Sequence, residues 1–105
     1  MTSLIQRVPE LESQAGIHLE GIYASVEEPD WDQKTLEVNF DVVAPTGSIR
    51  DSIAIHVSAY NQAGQLVGTE STTIWDEEFV GLESISERVT LYDNPTMILI
   101  FPRQR

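Results

Sequence analysis

The stretch from Ile53 to Ile74 reads IAIHVSAYNQAGQLVGTESTTI and decides the fold class. β-Branched and aromatic residues alternate with polar ones on both sides of a short Asn-Gln-Ala-Gly break. A two-residue period on either side of a turn that supplies Asn and Gly is the pattern of a β-hairpin. The stretch therefore predicts two antiparallel strands, Ile53–Tyr60 and Gln65–Ile74, and the polar run Thr69–Thr73 favours an edge position for the second.

Four further segments show strand patterns and are separated by turn residues. Alternation is clearest from Thr35 to Ala44, where every second residue is apolar. In the segment before it, two-residue parity places Leu19 and Tyr23 on one face, and Ile22 and Ala24 on the other. The four predicted strands are Ile17–Val26, Thr35–Ala44, Ile85–Leu91 and Thr96–Phe101.

Two of these segments carry exceptions to simple alternation. Glu87 falls on the face of its strand that otherwise points inward, and the run Met97–Phe101 is apolar throughout, which predicts burial on both faces. The N-terminal region is open to two interpretations: a helical turn that starts at Pro9 and ends at Gly16, or an edge strand from Leu4 to Val8.

Together these patterns predict an all-β protein, an antiparallel sandwich of about six to seven strands; the resemblance described next implies that the sandwich is immunoglobulin-like. We expect residues 17–102 to form the sandwich domain. Residues 1–16 are expected to be an N-terminal tail or edge segment, and residues 103–105 a C-terminal tail.

The hairpin also carries a family resemblance, in the segment Val57–Asn61, in Gly64 and in Leu66–Thr69. These residues resemble the FxLYD-type domain, one of the immunoglobulin-like or fibronectin-III-like sandwiches of bacteria and archaea. The last apolar run, which ends at Pro102, is similar to the final strand of such domains. The resemblance spans about Ile17 to Pro102 and implies a binding or scaffolding role.

The chain departs from the family pattern at Val57, where the family name implies Phe. It departs again at Ala59, which stands for Leu, and at Asn61, which stands for Asp. A fold-level likeness of this kind does not identify a function.

Composition narrows the classes of partner. The chain of 105 residues has 17 acidic and 6 basic side chains, which gives a net charge of −11. Such a charge repels phosphate backbones and anionic lipid surfaces, so we expect neither nucleic-acid nor membrane binding. It favours a basic protein partner or a bound cation. With no signal-peptide pattern and no long apolar run, we expect a cytoplasmic protein.

Catalytic and zinc-binding patterns are missing from the sequence. The chain contains no cysteine, and its two histidines, His18 and His56, lie in different predicted strands. No nucleophile elbow and no Gly-rich phosphate loop occurs. The sequence therefore predicts a non-enzymatic domain.

Acidic loops provide the alternative from a different functional class. If the strands alternate in direction, the loops 27–34, 61–64 and 92–95 meet at one end, while 45–52 and 75–84 meet at the other. Calcium takes six to eight oxygen ligands, which several converging loops can supply. The alternative function is therefore a calcium-binding module that uses Asp30, Asp32 and Asp93.

Two further hypotheses involve tryptophan and strand edges. Trp31 and Trp75 each follow or precede acidic residues, and an exposed tryptophan is typical of a carbohydrate-binding module or an interface anchor. Packing over the ends of the core is the structural alternative. An edge strand with unpaired backbone groups could also support self-association.

The excess of negative charge leads to a first prediction. We expect the melting temperature to rise when NaCl is increased from low ionic strength to about 0.15 M, because salt screens repulsion between carboxylates beyond about 8 Å. Thermal unfolding followed by circular dichroism measures this. A melting temperature that stays constant or falls would contradict it.

Overall fold

A computed structural model describes residues 5–27 and 34–104, and most of these residues lie in strands. Seven strands and one short helix are found in the described part of the chain, where no helix has the length and apolarity needed to cross a bilayer. The elements are β1 Ile5–Arg7, α1 Pro9–Ala15, β2 His18–Glu27, β3 Thr35–Val43, β4 Ile53–Tyr60, β5 Leu66–Ile74, β6 Leu82–Thr90 and β7 Met97–Gln104.

The strands form two sheets. The four-stranded sheet has the order β1-β7-β4-β5, and the three-stranded sheet has the order β2-β3-β6. All pairings are antiparallel except that of β1 with β7. The predicted all-β sandwich is therefore confirmed, with seven strands.

The core lies between the two inner faces and follows from the two-residue period. Alternate residues of β3 and of β4 are almost completely buried, while their neighbours point to the outer faces. The facing rows are Leu36, Val38, Phe40 and Val42 on β3, and Ile53, Ile55, Val57 and Ala59 on β4.

Both interpretations of the N-terminal region are present, one after the other. Strand β1 pairs with β7, and α1 begins at Pro9, whose missing N–H costs nothing at the first helical position. Gly16 ends the helix with φ 75°, a left-handed conformation that glycine adopts without a steric penalty.

The face of Tyr23 predicted from parity is wrong. Gly21, with φ 60°, starts a β-bulge in which Gly21 and Ile22 together lie opposite Phe40. The extra residue reverses the alternation, so Ala24 joins Leu19 on the inner face and Tyr23 turns outward. Its side chain is 59% exposed.

Strand β7, which is central in its sheet, has one fully buried face and one half-buried face. Ile98 and Ile100 point into the core with no exposed surface, whereas Met97, Leu99 and Phe101 on the outer face are half-buried. The ring of Phe101 stacks on His56 with centroids 5.3 Å apart.

The two sheets approach each other most closely at β5 and the end of β6. A Cβ atom on Gly68 would lie 2.7 Å from the carbonyl oxygen of Thr90 and 2.9 Å from Cγ1 of Val89. Nearby, the backbone N–H of Tyr92 donates to the carbonyl of Val67 at 2.9 Å. A side chain at position 68 would therefore force the sheets apart.

We expect Gly68→Ala to destabilise the fold by about 1–3 kcal/mol, the usual cost of an overpacked core. The exposed Ser71→Ala on the same strand serves as the control, with a change within about 0.5 kcal/mol. Urea unfolding of both variants measures the difference. Equal free energies of unfolding for the two variants would show that the close approach of the sheets leaves room for a side chain at position 68.

Candidate functional site

The loops predicted to converge at one end do so in the described residues. The side-chain amide of Asn61 donates to Asp93 Oδ2 at 3.1 Å, and the backbone N–H of Asn94 donates to Asp93 Oδ1 at 2.8 Å. Lys34 Nζ donates in turn to the side-chain oxygen of Asn94. Asp93 is fully exposed, and two hydrogen bonds lower its pKa. The larger effect comes from the backbone N–H of Asn94 and the smaller one from the side chain of Asn61.

This geometry bears on one of the three residues in the calcium hypothesis. Asp30 and Asp32 lie outside the described residues. Each oxygen of Asp93 accepts one hydrogen bond, which leaves a second lone pair on each for another ligand. Within residues 5–27 and 34–104, no three His, Asp or Glu side chains are grouped as metal ligands would be.

The opposite end carries Trp75, which is 48% exposed. Beside it, Ser52 Oγ donates to Asp76 Oδ1 at 2.6 Å and accepts from the backbone N–H of Asp76 at 3.0 Å. These bonds join the loops before β4 and after β5. Trp31, its predicted counterpart at the other end, lies outside the described residues.

Glu12 is the one acidic side chain in the described residues that is buried, with 2% exposure. Arg7 donates to both of its carboxylate oxygens, from Nη2 at 2.7 Å and from Nε at 3.1 Å, and the backbone N–H of Leu19 donates at 2.9 Å. Burial alone would raise the pKa of Glu12, but the bonds from Arg7 and Leu19 outweigh it and lower the pKa. The carboxylate therefore connects β1, α1 and β2.

A second unusual carboxylate lies where the edge strands β5 and β6 approach each other. Glu87 faces inward opposite Val38, and Glu70 faces inward opposite Val57. Burial raises the pKa of Glu87, and repulsion from Glu70 raises it further. Inward-pointing charges on edge strands oppose the addition of another strand.

The outer face of the three-stranded sheet is rich in carboxylates, and we call it the acidic face. Cross-strand register places Tyr23 in its central row with Asn39 and Ser86. The row on one side contains Glu20 and Asp41, and the row on the other contains Glu37 and Arg88. The remaining outward residues of these strands are His18, Ser25, Glu27, Thr35, Val43, Leu82, Ser84 and Thr90.

The carboxylates of the acidic face are held by local partners. Ser84 donates to Asp41 Oδ1 at 2.7 Å, His18 Nε2 lies 2.9 Å from Glu20 Oε1, and Arg88 Nη2 lies 3.6 Å from Glu37 Oε2. Arg88 is the one arginine or lysine among the outward strand residues described for this face. The face therefore keeps a net negative charge.

Sequence reasoning missed two of these features. A glycine inside a strand pattern is a known signal for a bulge, so Gly21 could have indicated the reversal at Tyr23. The burial of Glu12 has no comparable signal, because its partners Arg7 and Leu19 reach it only in the folded structure.

Comparison with known proteins adds nothing to these observations. No protein-family model matches the chain, and neither the curated proteins nor the solved structures gave a match. The FxLYD resemblance therefore stays a prediction, and the geometry alone supports the proposals below.

The two unusual glutamates lead to opposite predictions at neutral pH. The pKa of Glu12 is lowered in the folded state, so its stabilising effect is present above the unfolded value near 4.5 and is lost as the pH falls. The pKa of Glu87 is raised in the folded state, so Glu87 stabilises the fold below the same unfolded value of 4.5. This stabilising contribution is lost as the pH rises through the folded-state pKa.

We therefore expect Glu12→Gln to lower the free energy of unfolding by about 2 kcal/mol at pH 7, the usual value for hydrogen bonds to a charged group. Glu87→Gln should raise the free energy of unfolding by a smaller amount at pH 7. Both differences from the wild-type chain should become smaller in acid. Urea unfolding across pH measures them, with the exposed Glu20→Gln as control. Changes of the same sign, or differences independent of pH, would contradict this account.

Proposed function

We propose that this protein is a non-enzymatic interaction domain that binds a basic protein partner through its acidic face. The cytoplasmic location expected from the sequence is part of this proposal. The observation that carries it is the bulge at Gly21, which turns Tyr23 out of the core and into the central row of that face.

An outward tyrosine among carboxylates is suited to protein recognition. Tyrosine is enriched at the residues that dominate binding energy, because its ring provides apolar contact and its hydroxyl a hydrogen bond. Tyr23 lies between the row of Glu20 and Asp41 and the row of Glu37. A basic segment that crosses the strands would contact the ring while its cationic side chains reach the carboxylates.

The charges of the face contribute mainly to the rate of association and to specificity. Carboxylates at the surface attract a basic partner over roughly a Debye length and repel acidic competitors. The hydrogen bond from Ser84 holds Asp41 in place before binding, which reduces the ordering cost. The calcium and carbohydrate hypotheses stay predictions, since Asp30, Asp32 and Trp31 lie outside the described residues.

An NMR titration tests the proposal. The probe is a synthetic peptide of alternating arginine and leucine residues, and a peptide with glutamate in place of arginine is the control. We expect the basic peptide, but not the acidic control, to cause saturable amide shifts in β2, β3 and β6. Added salt should weaken this binding. Tyr23→Ala should weaken binding about tenfold, as expected for an anchor residue.

The matched control variant is Tyr92→Ala, since Tyr92 is also an exposed tyrosine (76%) but lies in the loop after β6. Equal effects of the two substitutions would contradict the role of Tyr23. Shifts confined to the four-stranded sheet would contradict the choice of face.

A further inference from the structure

The outer face of the four-stranded sheet has the opposite character, and we call it the neutral face. Register places three rows across its centre, of which one joins Tyr60 and Met97, one joins Ser58 and Leu99, and one joins His56 and Phe101. None of the outward strand residues described for this face is acidic. The remaining ones are Gln6, Ala54, Leu66, Thr69, Ser71, Thr73 and Arg103.

The neutral face has the composition of a protein interface. Except for the exposed Leu66 on the edge strand β5, its apolar side chains lie on the central strands β7 and β4, where Met97, Leu99 and Phe101 are half-buried. The edge strand β5 adds an uncharged rim that includes Ser71. Interfaces have an apolar centre depleted in charge, with Tyr, Phe and Met enriched, and a polar rim.

We infer that the neutral face binds a second copy of this chain, face to face, to form a symmetric dimer. Each copy carries a net charge of −11, so association through most surfaces would bring carboxylates together. The neutral face avoids this, and Arg103 lowers the negative potential there. A twofold contact requires only that the face be complementary to itself.

The edge strands are a less favourable route to the same dimer. The inward-facing Glu70 and Glu87 lie on β5 and β6, and strand addition at either edge would bury the exposed Glu70 or the half-buried Glu87. The short β1 forms the remaining edge of the four-stranded sheet. Packing of the neutral faces leaves these carboxylates where they are.

The size of the neutral face is consistent with a weak, reversible dimer. Three strands about 4.8 Å apart, with about 3.3 Å per residue along the eight residues of β7, cover about 380 Å², and the three residues of β1 add about 50 Å². Two copies would bury about 860 Å², in the range of weak and transient contacts. A recess of about 370 Å³ between Leu11 and Phe101 lies at one end and can receive a protruding side chain.

Sedimentation equilibrium of the full chain tests the inference, up to about 1 mM, where weak association becomes visible. We expect a monomer–dimer equilibrium that Leu99→Glu abolishes. Because Leu99 is half-buried, Ser71→Glu is the second variant, and it should weaken the dimer about tenfold by introducing like charges. The matched control Ser86→Glu adds the same charge on the acidic face and should leave the dimer unchanged.

Three outcomes would overturn the inference: a wild-type chain that is monomeric throughout, a dimer that tolerates both Leu99→Glu and Ser71→Glu, or one that is weakened equally by Ser86→Glu. Circular dichroism confirms that each variant is folded. Because Tyr23 lies on the opposite sheet, failure of the dimer and failure of the proposed function are observed separately.

Discussion

Burial of two facing rows of aliphatic and aromatic side chains is the interaction on which the rest of this structure depends. Leu36, Val38 and Phe40 on one sheet pack across the core from Ile53 and its neighbours on the other. Each buried side chain of this size contributes about 1.5–3 kcal/mol. Because successive strand residues alternate between faces, this requirement fixes only half of the positions. The other half are free to differ between the two sheets.

The two outer faces use that freedom in different ways. The acidic face concentrates carboxylates around Tyr23. The neutral face has no outward carboxylate among its described strand residues, and it leaves apolar side chains such as Leu99 partly exposed. The negative charge of this protein is therefore unevenly distributed, although its composition reports only the total. A dimer through the neutral faces would place two acidic faces on opposite sides. Such an arrangement strengthens binding to a partner that presents two basic segments.

The interior tolerates charge only where it is compensated or partly exposed. Glu12 is buried and accepts three hydrogen bonds, and every buried side-chain nitrogen or oxygen in the described residues has a partner. Glu87 has no such compensation, but it lies at an open edge. A buried charge with full hydrogen bonding positions neighbouring elements, whereas a partly buried charge at an edge limits unwanted pairing.

The sequence was sufficient to predict the strands whose alternation is uninterrupted. The segments around Phe40 and Val57 have a two-residue period that only a half-buried strand satisfies. Parity failed at Tyr23, because the extra residue of the bulge that starts at Gly21 reverses every later side chain of β2, and bulges depend on tertiary pairing. The candidate site was harder to predict, since the acidic face is assembled from three strands far apart in sequence.

The order of strands in the four-stranded sheet also has a consequence for biosynthesis. Strand β7 lies between β1 and β4, yet it is the last of the described strands to leave the ribosome. Until then β1 has no partner in its sheet and one edge of β4 is open, although the β4–β5 hairpin can already form. Completion of the sheet must therefore wait for Met97–Gln104. A nascent chain stalled before this segment exposes apolar side chains and an unpaired strand edge, to which a chaperone could bind.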